Sequence, residues 1–433
     1  MHYISTRDVK KHKVTPSEAI VNGLAPDGGL YVPVDFPILA NFIGMEYEQM
    51  AFEILRLYLT DFSDEELKKY IHLAYDGMLP VKVNDDYLEL FHGRTLAFKD
   101  VALQLYPHLL TAALRKNHVT KTAVILAATS GDTGSAVLAG MAGVKNTKAI
   151  IFYPEGGVSN IQKLQMTTQQ GDNVHVFAIK GNFDDAQSAI KGVFADKVFQ
   201  KNFEDNYLFT SANSISIGRL LPQVVYYFYA YSKLVESGKI GERDAVNFVV
   251  PTGNFGNILA GYYASKMGLP INKLICATNS NRILDDFFKT GKYDENREFY
   301  KTLSPSMDII VSSNLERFTY EKSQADIFDS DYATDEETLL TIKQVHDNTG
   351  YVLDPHTAVG RCVYEKYKER TGDTTYTMIL STASPYKFGE TVERAIGSAL
   401  NNPPESIGQL TSKPVLHQEV VADIRQAIGG VLK

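Results

Sequence analysis

One lysine in this chain stands in surroundings that would change its chemistry. The run Phe91-His92-Gly93-Arg94-Thr95-Leu96-Ala97-Phe98-Lys99-Asp100 places Lys99 directly after three apolar residues. Burial of that run would strip the amine of water, lower its pKa and free the neutral form. A neutral amine is the group that forms a Schiff base with an aldehyde cofactor. Read alone, the run also fits a surface lysine opening a helix through Leu103 and Leu105, because buried lysines are rare. The choice between the two rests on other stretches.

Three further stretches pair small or polar residues with a helix start. Ser130-Gly131-Asp132-Thr133-Gly134 and Gly253-Asn254-Phe255-Gly256-Asn257 each follow an apolar run of strand length and open a helical pattern. Such loops present free amides and the positive end of a helix dipole, which suits a phosphate or a carboxylate. A tight turn accounts equally for the second loop, and a capping role for Asp132 or Thr133 accounts for the first. Asn213-Ser214-Ile215-Ser216-Ile217-Gly218-Arg219 opens a long helix and adds a guanidinium suited to phosphate. A capped helix with a solvated arginine is its plainer reading. The loop Ser381-Thr382-Ala383-Ser384-Pro385 follows the last clear strand.

Several chemistries find no support. No G-x-G-x-x-G with a following acidic residue is present, which counts against a dinucleotide site and a nicotinamide dehydrogenase. No G-x-S-x-G is present, so a serine nucleophile is disfavoured. His356, in Asp354-Pro355-His356-Thr357-Ala358, reads as a structural residue opening a helix rather than as a general base. No C-x-x-C occurs and the histidines lack metal spacing, so no metal is expected.

The elements that must position these residues are legible as strand and helix patterns. Strands are expected at 122–128, 148–153, 173–179, 245–250, 274–279 and 377–380, with helices at 135–141, 184–194, 219–236 and 258–267 between them. The stretch Gly181-Asn182-Phe183 reads as a turn. Apolar strands alternating with helices predict a doubly wound, mainly parallel α/β fold, in which ligands bind at the carboxyl ends of the strands. The first part, to about Leu79, reads as a cap: a Gly/Pro-rich turn region at 23–33, then helices over 45–59 and 64–74 with Ser63 as N-cap. Further helices are expected from near Thr334 to Asn348 and after Pro355 through Lys368. The acidic stretch 326–337, with Asp329-Ser330-Asp331, reads as a solvated surface segment.

Size and charge set outer limits. The chain has 433 residues, 44% of them hydrophobic, enough for more than one domain. A formal charge of −8 makes a nucleic-acid surface unexpected. No apolar run could span a membrane and the N-terminal residues lack a signal-peptide core. With Cys276 and Cys362 as the only cysteines, a reduced cytoplasmic setting is expected. Oligomeric state is unknown from sequence.

Taken in order along the chain, Gly23–Pro33, His92–Asp100, Ser130–Gly134, Asn213–Arg219, Gly253–Asn257, Asp354–Ala358 and Thr382–Phe388 resemble the threonine synthase family. Phe98-Lys99-Asp100 in the midst of that ordered set makes the resemblance specific. It implies a fold of the tryptophan-synthase-β kind (fold type II): two doubly wound, mainly parallel-sheet domains with an N-terminal cap. The cap would be 1–90, the large cofactor-binding domain 91–109 with 212–433, and a small mobile domain 110–211. It also implies a pyridoxal 5′-phosphate lyase that converts O-phospho-L-homoserine and water to L-threonine and phosphate, by γ-elimination and then β-hydration. In that pattern Lys99 is the Schiff-base lysine, and Gly253, Asn254, Phe255, Gly256 and Asn257 hold the cofactor phosphate. Thr382 sits against the ring nitrogen. Ser130, Gly131, Asp132 and Thr133 hold the substrate carboxylate, and Ser214 and Arg219 the substrate phosphate. Three positions depart from the family pattern: Ser216 where asparagine is frequent, Ser384 where histidine is, and Arg94 where proline is. A β-replacement enzyme acting on phosphoserine and a non-catalytic binder of phospho-ligands are the competing readings.

Overall fold

The computed structural model describes residues 1–78, 80–181, 183–321 and 325–433. Leu79, at the expected end of the cap, and Asn182, in the expected turn 181–183, lie outside the described residues.

Two parallel sheets carry the chain. The larger has six strands in the order Phe328–Tyr332, Ile271–Thr278, Val246–Pro251, Thr377–Ser381, Tyr87–Glu89 and Lys82–Asn84. All neighbours are parallel except the last pair, which is an antiparallel hairpin. The smaller has five strands, all parallel, in the order Val420–Val421, Val174–Ile179, Thr147–Pro154, Thr122–Ala128 and Tyr207–Thr210. The central strands are buried on both faces: Val246–Pro251 is buried at every position. Helices on both faces demand such continuous apolar runs rather than alternation.

Helix starts follow local chemistry. Thr15, Ser63, Ser159 and Thr334 each cap a helix and pair with Glu18, Glu66, Gln162 and Glu337 three residues on, reciprocally satisfying two exposed backbone donors. The long helix Ile217–Glu236 is buried over almost its whole length. The cap helix Tyr47–Tyr58 shares one apolar core with it.

Three expectations need correction. The strands Lys82–Asn84 and Tyr87–Glu89, placed in the cap, are the last two strands of the large sheet, Lys82–Asn84 at its edge. The chain end, placed wholly in the large domain, returns to the small one. There Val420–Val421 pairs with Ala178–Ile179, and Ile424, Ala427, Ile428 and Leu432 pack against Ile190 and Val193. The acidic segment is not simply a solvated surface stretch, since Phe328–Tyr332 is a strand paired with Ile271–Thr278, with Phe328 and Ser330 buried. Its charges meet partners from other elements: Asp329 meets Arg370 at 2.5 Å and Asp331 meets Lys289 at 3.6 Å. In all three cases the decisive neighbour is distant in sequence, so no local pattern announced it.

Candidate active site

The lysine-bearing loop is folded by a side chain five residues along. Asp100 is fully buried and accepts from the Thr95 backbone N–H at 2.7 Å and the Thr95 hydroxyl at 2.8 Å. A Cβ on Gly93 would lie 2.5–2.6 Å from the Asp100 side chain, so only glycine fits there. Leu96 takes a left-handed φ of 60° to complete the turn. The loop is then stitched to the one after Thr377–Ser381. Leu90 N–H donates to the Ser381 carbonyl at 2.9 Å, Phe98 N–H to the Thr382 carbonyl at 2.8 Å, and Ser384 N–H to the Leu96 carbonyl at 3.0 Å. Lys99 and Thr382 are thereby held side by side.

Lys99 opens the short helix Lys99–Leu103 with its side chain 12% exposed. Its Nζ lies 3.4 Å from Ser306 Oγ and 3.7 Å from Asp132 Oδ2. Burial pushes the amine down to about 8; Asp132 opposes the shift, while Lys387 and Arg219 add to it. The neutral amine expected from the sequence is thus readily reached near neutral pH.

Asp132 is the polar centre beneath it. Its carboxylate accepts from Lys387 Nζ at 2.8 Å, Gln162 Nε2 at 2.9 Å and Ser306 Oγ at 3.2 Å. Burial favours its protonation, but Lys387, then Lys99 and His356, outweigh that and hold the carboxyl well below the usual range. Ser306 N–H donates to His356 Nε2 at 3.2 Å, which leaves the ring proton on Nδ1, 2.8 Å from Asp354 Oδ1. Both ring nitrogens are therefore engaged within the protein.

Two cation-rich or amide-rich walls face this amine. The loop after Val246–Pro251 turns through Phe255 at φ 61°, a left-handed conformation held by ring contacts to Phe288, Phe318 and Phe328. Ser312 Oγ donates to the Gly253 carbonyl at 2.6 Å, and Asn314 Nδ2 to the Asn254 carbonyl at 3.1 Å. With its carbonyls tied back, the loop leads into the first turn of helix Gly256–Lys266, whose N–H groups have no partner within the helix. Tyr226 and Tyr227 hydroxyls fix Asn257 Oδ1 at 2.6 and 3.0 Å, while the buried Asn257 Nδ2 has no partner. Opposite lies Arg219, 3% exposed, donating through Nη1 to the Ala212 carbonyl at 2.5 Å. Its buried Nε has no partner, and burial pushes its guanidinium down to about 10. Among the described residues it makes no ion pair. Lys99, Ser130, Thr133, Ser214, Arg219, Gly253–Asn257 and Thr382 all line one cavity of about 220 Å³.

Set against known proteins, three stretches match described families. Residues 88–382 match the pyridoxal-phosphate dependent enzymes, residues 2–75 the threonine synthase N terminus and residues 357–428 the threonine synthase C-terminal region. The threonine synthase of Saccharomyces cerevisiae is 38% identical over 92% of this chain and 90% of its own. That of Pseudomonas aeruginosa is 40% identical over 92% and 91%. The chain belongs to the threonine synthase family. The crystal structure of PLP-bound threonine synthase from Brucella melitensis superposes with a TM-score of 0.89, at 35% identity, over 100% of this chain and 98% of that one. The resemblance drawn from the motifs, the α/β fold and the pyridoxal-phosphate chemistry thus hold for this threonine synthase family member.

The cavity fits that cofactor on its own geometry. An anion cradle at a helix N-terminus, an orphaned amide at Asn257 and a desolvated amine face one another across it. A Cβ on Gly253 would come within 2.8 Å of the Ser306 carbonyl, so the cradle tolerates no side chain there. All the expected site residues lie at the carboxyl ends of strands, and all but Gly131 and Asp132 line the cavity. A Cβ on Gly131 would strike the Gln162 amide at 2.3–2.5 Å, so that glycine shapes the loop from behind. Of the departures, Ser216 is buried with its hydroxyl unpartnered and Arg94 is exposed. Sequence reasoning missed Thr129, whose hydroxyl accepts from the N–H groups of Gly131 and Gly134 at 2.9 and 2.8 Å. It also missed Ser306 and Lys387, which touch Asp132; Lys387 lies within the recognised stretch Thr382–Phe388 but was given no role there.

Proposed function

We propose that this enzyme converts O-phospho-L-homoserine and water to L-threonine and inorganic phosphate in the cytoplasm. The observation that carries the reading is one amine, Lys99, set between two separate anion sites in one cavity: the 253–257 loop and the Arg219 wall. A cofactor with one phosphate and a substrate with another need two such sites. In this reading Gly253–Asn257 hold the pyridoxal phosphate group, Thr382 offers a hydroxyl to the ring nitrogen, and Lys99 anchors the aldehyde carbon. When bound, the cofactor supplies an electron-accepting ring for the pair released at the substrate Cα.

The chain's own residues do the rest. Ser214 and Arg219 bind the substrate phosphate; a guanidinium already desolvated and lacking an anion gains most from receiving one. Ser130 and Thr133 offer N–H and O–H donors to the α-carboxylate, while Gly131, its N–H taken by Thr129, holds the turn that presents them. Asp132 takes part through its backbone, since its carboxylate is ionised and turned to Lys387. With the cofactor bound, the Lys99 amine would be placed to take the proton from the substrate Cα and to serve the later transfers at Cβ. Free thiols at Cys276 and Cys362 support a reducing compartment.

Mixing the protein with pyridoxal phosphate and O-phosphohomoserine, and following threonine and free phosphate together, tests the proposal. Equal amounts of both are expected. Phosphate without threonine would mean elimination without hydration. Neither product, with phosphoserine consumed instead, would transfer the assignment to a β-replacement enzyme.

A further inference from the structure

Lys387 lies behind the cavity wall and touches no part of the cavity itself, yet it is 0% exposed on its side chain. A buried ammonium persists only where partners replace its water. Lys387 Nζ has two: Asp132 Oδ1 at 2.8 Å and the Thr95 carbonyl at 2.7 Å. One belongs to the helix opening the small sheet's first loop, the other to the lysine loop. Gln162 and Gln165, on the small-domain helix Asn160–Thr167, bond the same two acceptors at 2.9 and 3.0 Å. Ser159 Oγ donates to the Lys387 carbonyl at 2.9 Å. Lys387 is the point at which the small domain, the lysine loop and the segment after Thr382 are joined.

This placement bears on the amine. The charged and titratable groups facing Lys99 are Asp132 from helix Asp132–Met141, Lys387 from the 385–388 turn, Arg219 from helix Ile217–Glu236, and beyond Ser306 the His356–Asp354 pair opening helix Pro355–Thr371. Among the described residues Asp132 is the carboxylate that pairs with Lys99, at 3.7 Å against 2.8 Å to Lys387. We propose that Lys387 is a positioning residue for the reaction. By claiming the Asp132 carboxylate and clamping Thr95, it keeps the Lys99 amine in its neutral, nucleophilic form without touching cofactor or substrate. The proposal rests on the role given to Lys99 above, but its test reads the amine itself and not turnover, so either can fail alone.

The test is competitive labelling of the full chain, freed of cofactor, with trace acetic anhydride from pH 6 to 11. Acetylation of Lys99 is read by peptide mass spectrometry. Lys387→Gln should move the Lys99 midpoint up by about one pH unit, lowering its labelling rate at pH 8 by up to about tenfold. Lys387→Arg, which keeps the charge, should restore most of the difference. A Lys387→Gln curve that superimposes on that of the unsubstituted chain overturns the proposal. If Lys387→Gln alone does not fold, Asp132→Asn is compared with Asp132→Asn/Lys387→Gln, in which the Asp132–Lys387 pair is removed as a unit. The double variant should label at the lower midpoint's loss of Lys387 repulsion, that is, at a higher pH than Asp132→Asn; equal midpoints overturn the proposal.

Discussion

Arg219 and Lys387 are both buried cations within reach of the same amine, and they are built in opposite ways. Lys387 is paired with a carboxylate and a carbonyl, and it sits behind the wall. Arg219 faces the cavity with one carbonyl partner and an orphaned Nε. A paired buried charge is part of the scaffold, whereas an unpaired one is held at a cost by the surrounding fold and relieved when an anion arrives. The first arrangement stabilises the empty protein and the second prepares it for a ligand.

That contrast can be broken by experiment. The largest effect is expected at the amine between them: Lys99→Ala should lower turnover by a factor of at least about 10³, measured as threonine formation under saturating cofactor. Near-normal turnover would remove Lys99 from the chemistry. Arg219→Ala should raise the Michaelis constant for the phosphorylated substrate about 100-fold, while the urea midpoint of the cofactor-free chain stays the same or rises. Lys387→Ala should do the reverse to stability: it strands Asp132 and the Thr95 carbonyl, lowering unfolding free energy by about 3 kcal/mol. If both alanine variants lost similar stability, the distinction between an open and a closed cation would fail. A smaller effect should come from inorganic phosphate, which should raise the melting temperature of the unsubstituted chain by a few degrees and that of Arg219→Ala by less.

The smallest test uses a half-buried acid, Glu321. Burial pushes its carboxyl up to about 7 against the pull of Lys266 and Arg317. A carboxyl raised above its unfolded value costs stability increasingly as pH rises from about 4.5, with the cost complete above about 7. Glu321→Gln should therefore raise the melting temperature by about 1–2 °C at pH 8 and leave it unchanged at pH 4.5. A gain at both pH values would point to packing instead of charge.

How much of this could be read from the chain depended on how far each partner lay along it. The strands at 122–128, 147–154, 246–251 and 377–381 were legible because burial on both faces writes an unbroken apolar run. The loops after them were legible because glycines and hydroxyls cluster where a helix must begin. Lys99 was visible as an anomaly, and the ordered motifs gave it a role. Asp100 stood in plain view, but its work in folding Thr95 back could not be inferred before Gly93 was known to pack against it. The roles of Ser306 and Lys387 were illegible: each meets Asp132 across a separation of more than a hundred residues, and the motif Thr382–Phe388 marked the stretch around Lys387 without showing what its amine touches. The strand Phe328–Tyr332 was hidden by its acids, which resemble a surface run until Arg370 and Lys289 are placed beside them.

The return of the chain end to the small sheet sets a timetable for biosynthesis. Val174–Ile179 leaves the ribosome with one side of its hydrogen-bonding ladder open, and the strand that pairs with its end at Ala178–Ile179, Val420–Val421, is made about 240 residues later. At roughly 5–20 residues per second, that edge stays bare for about 10–50 s. An uncovered edge strand is a template for pairing with another chain, so in this enzyme the interval before completion is when nascent copies are most exposed to one another and to the cell's holding chaperones.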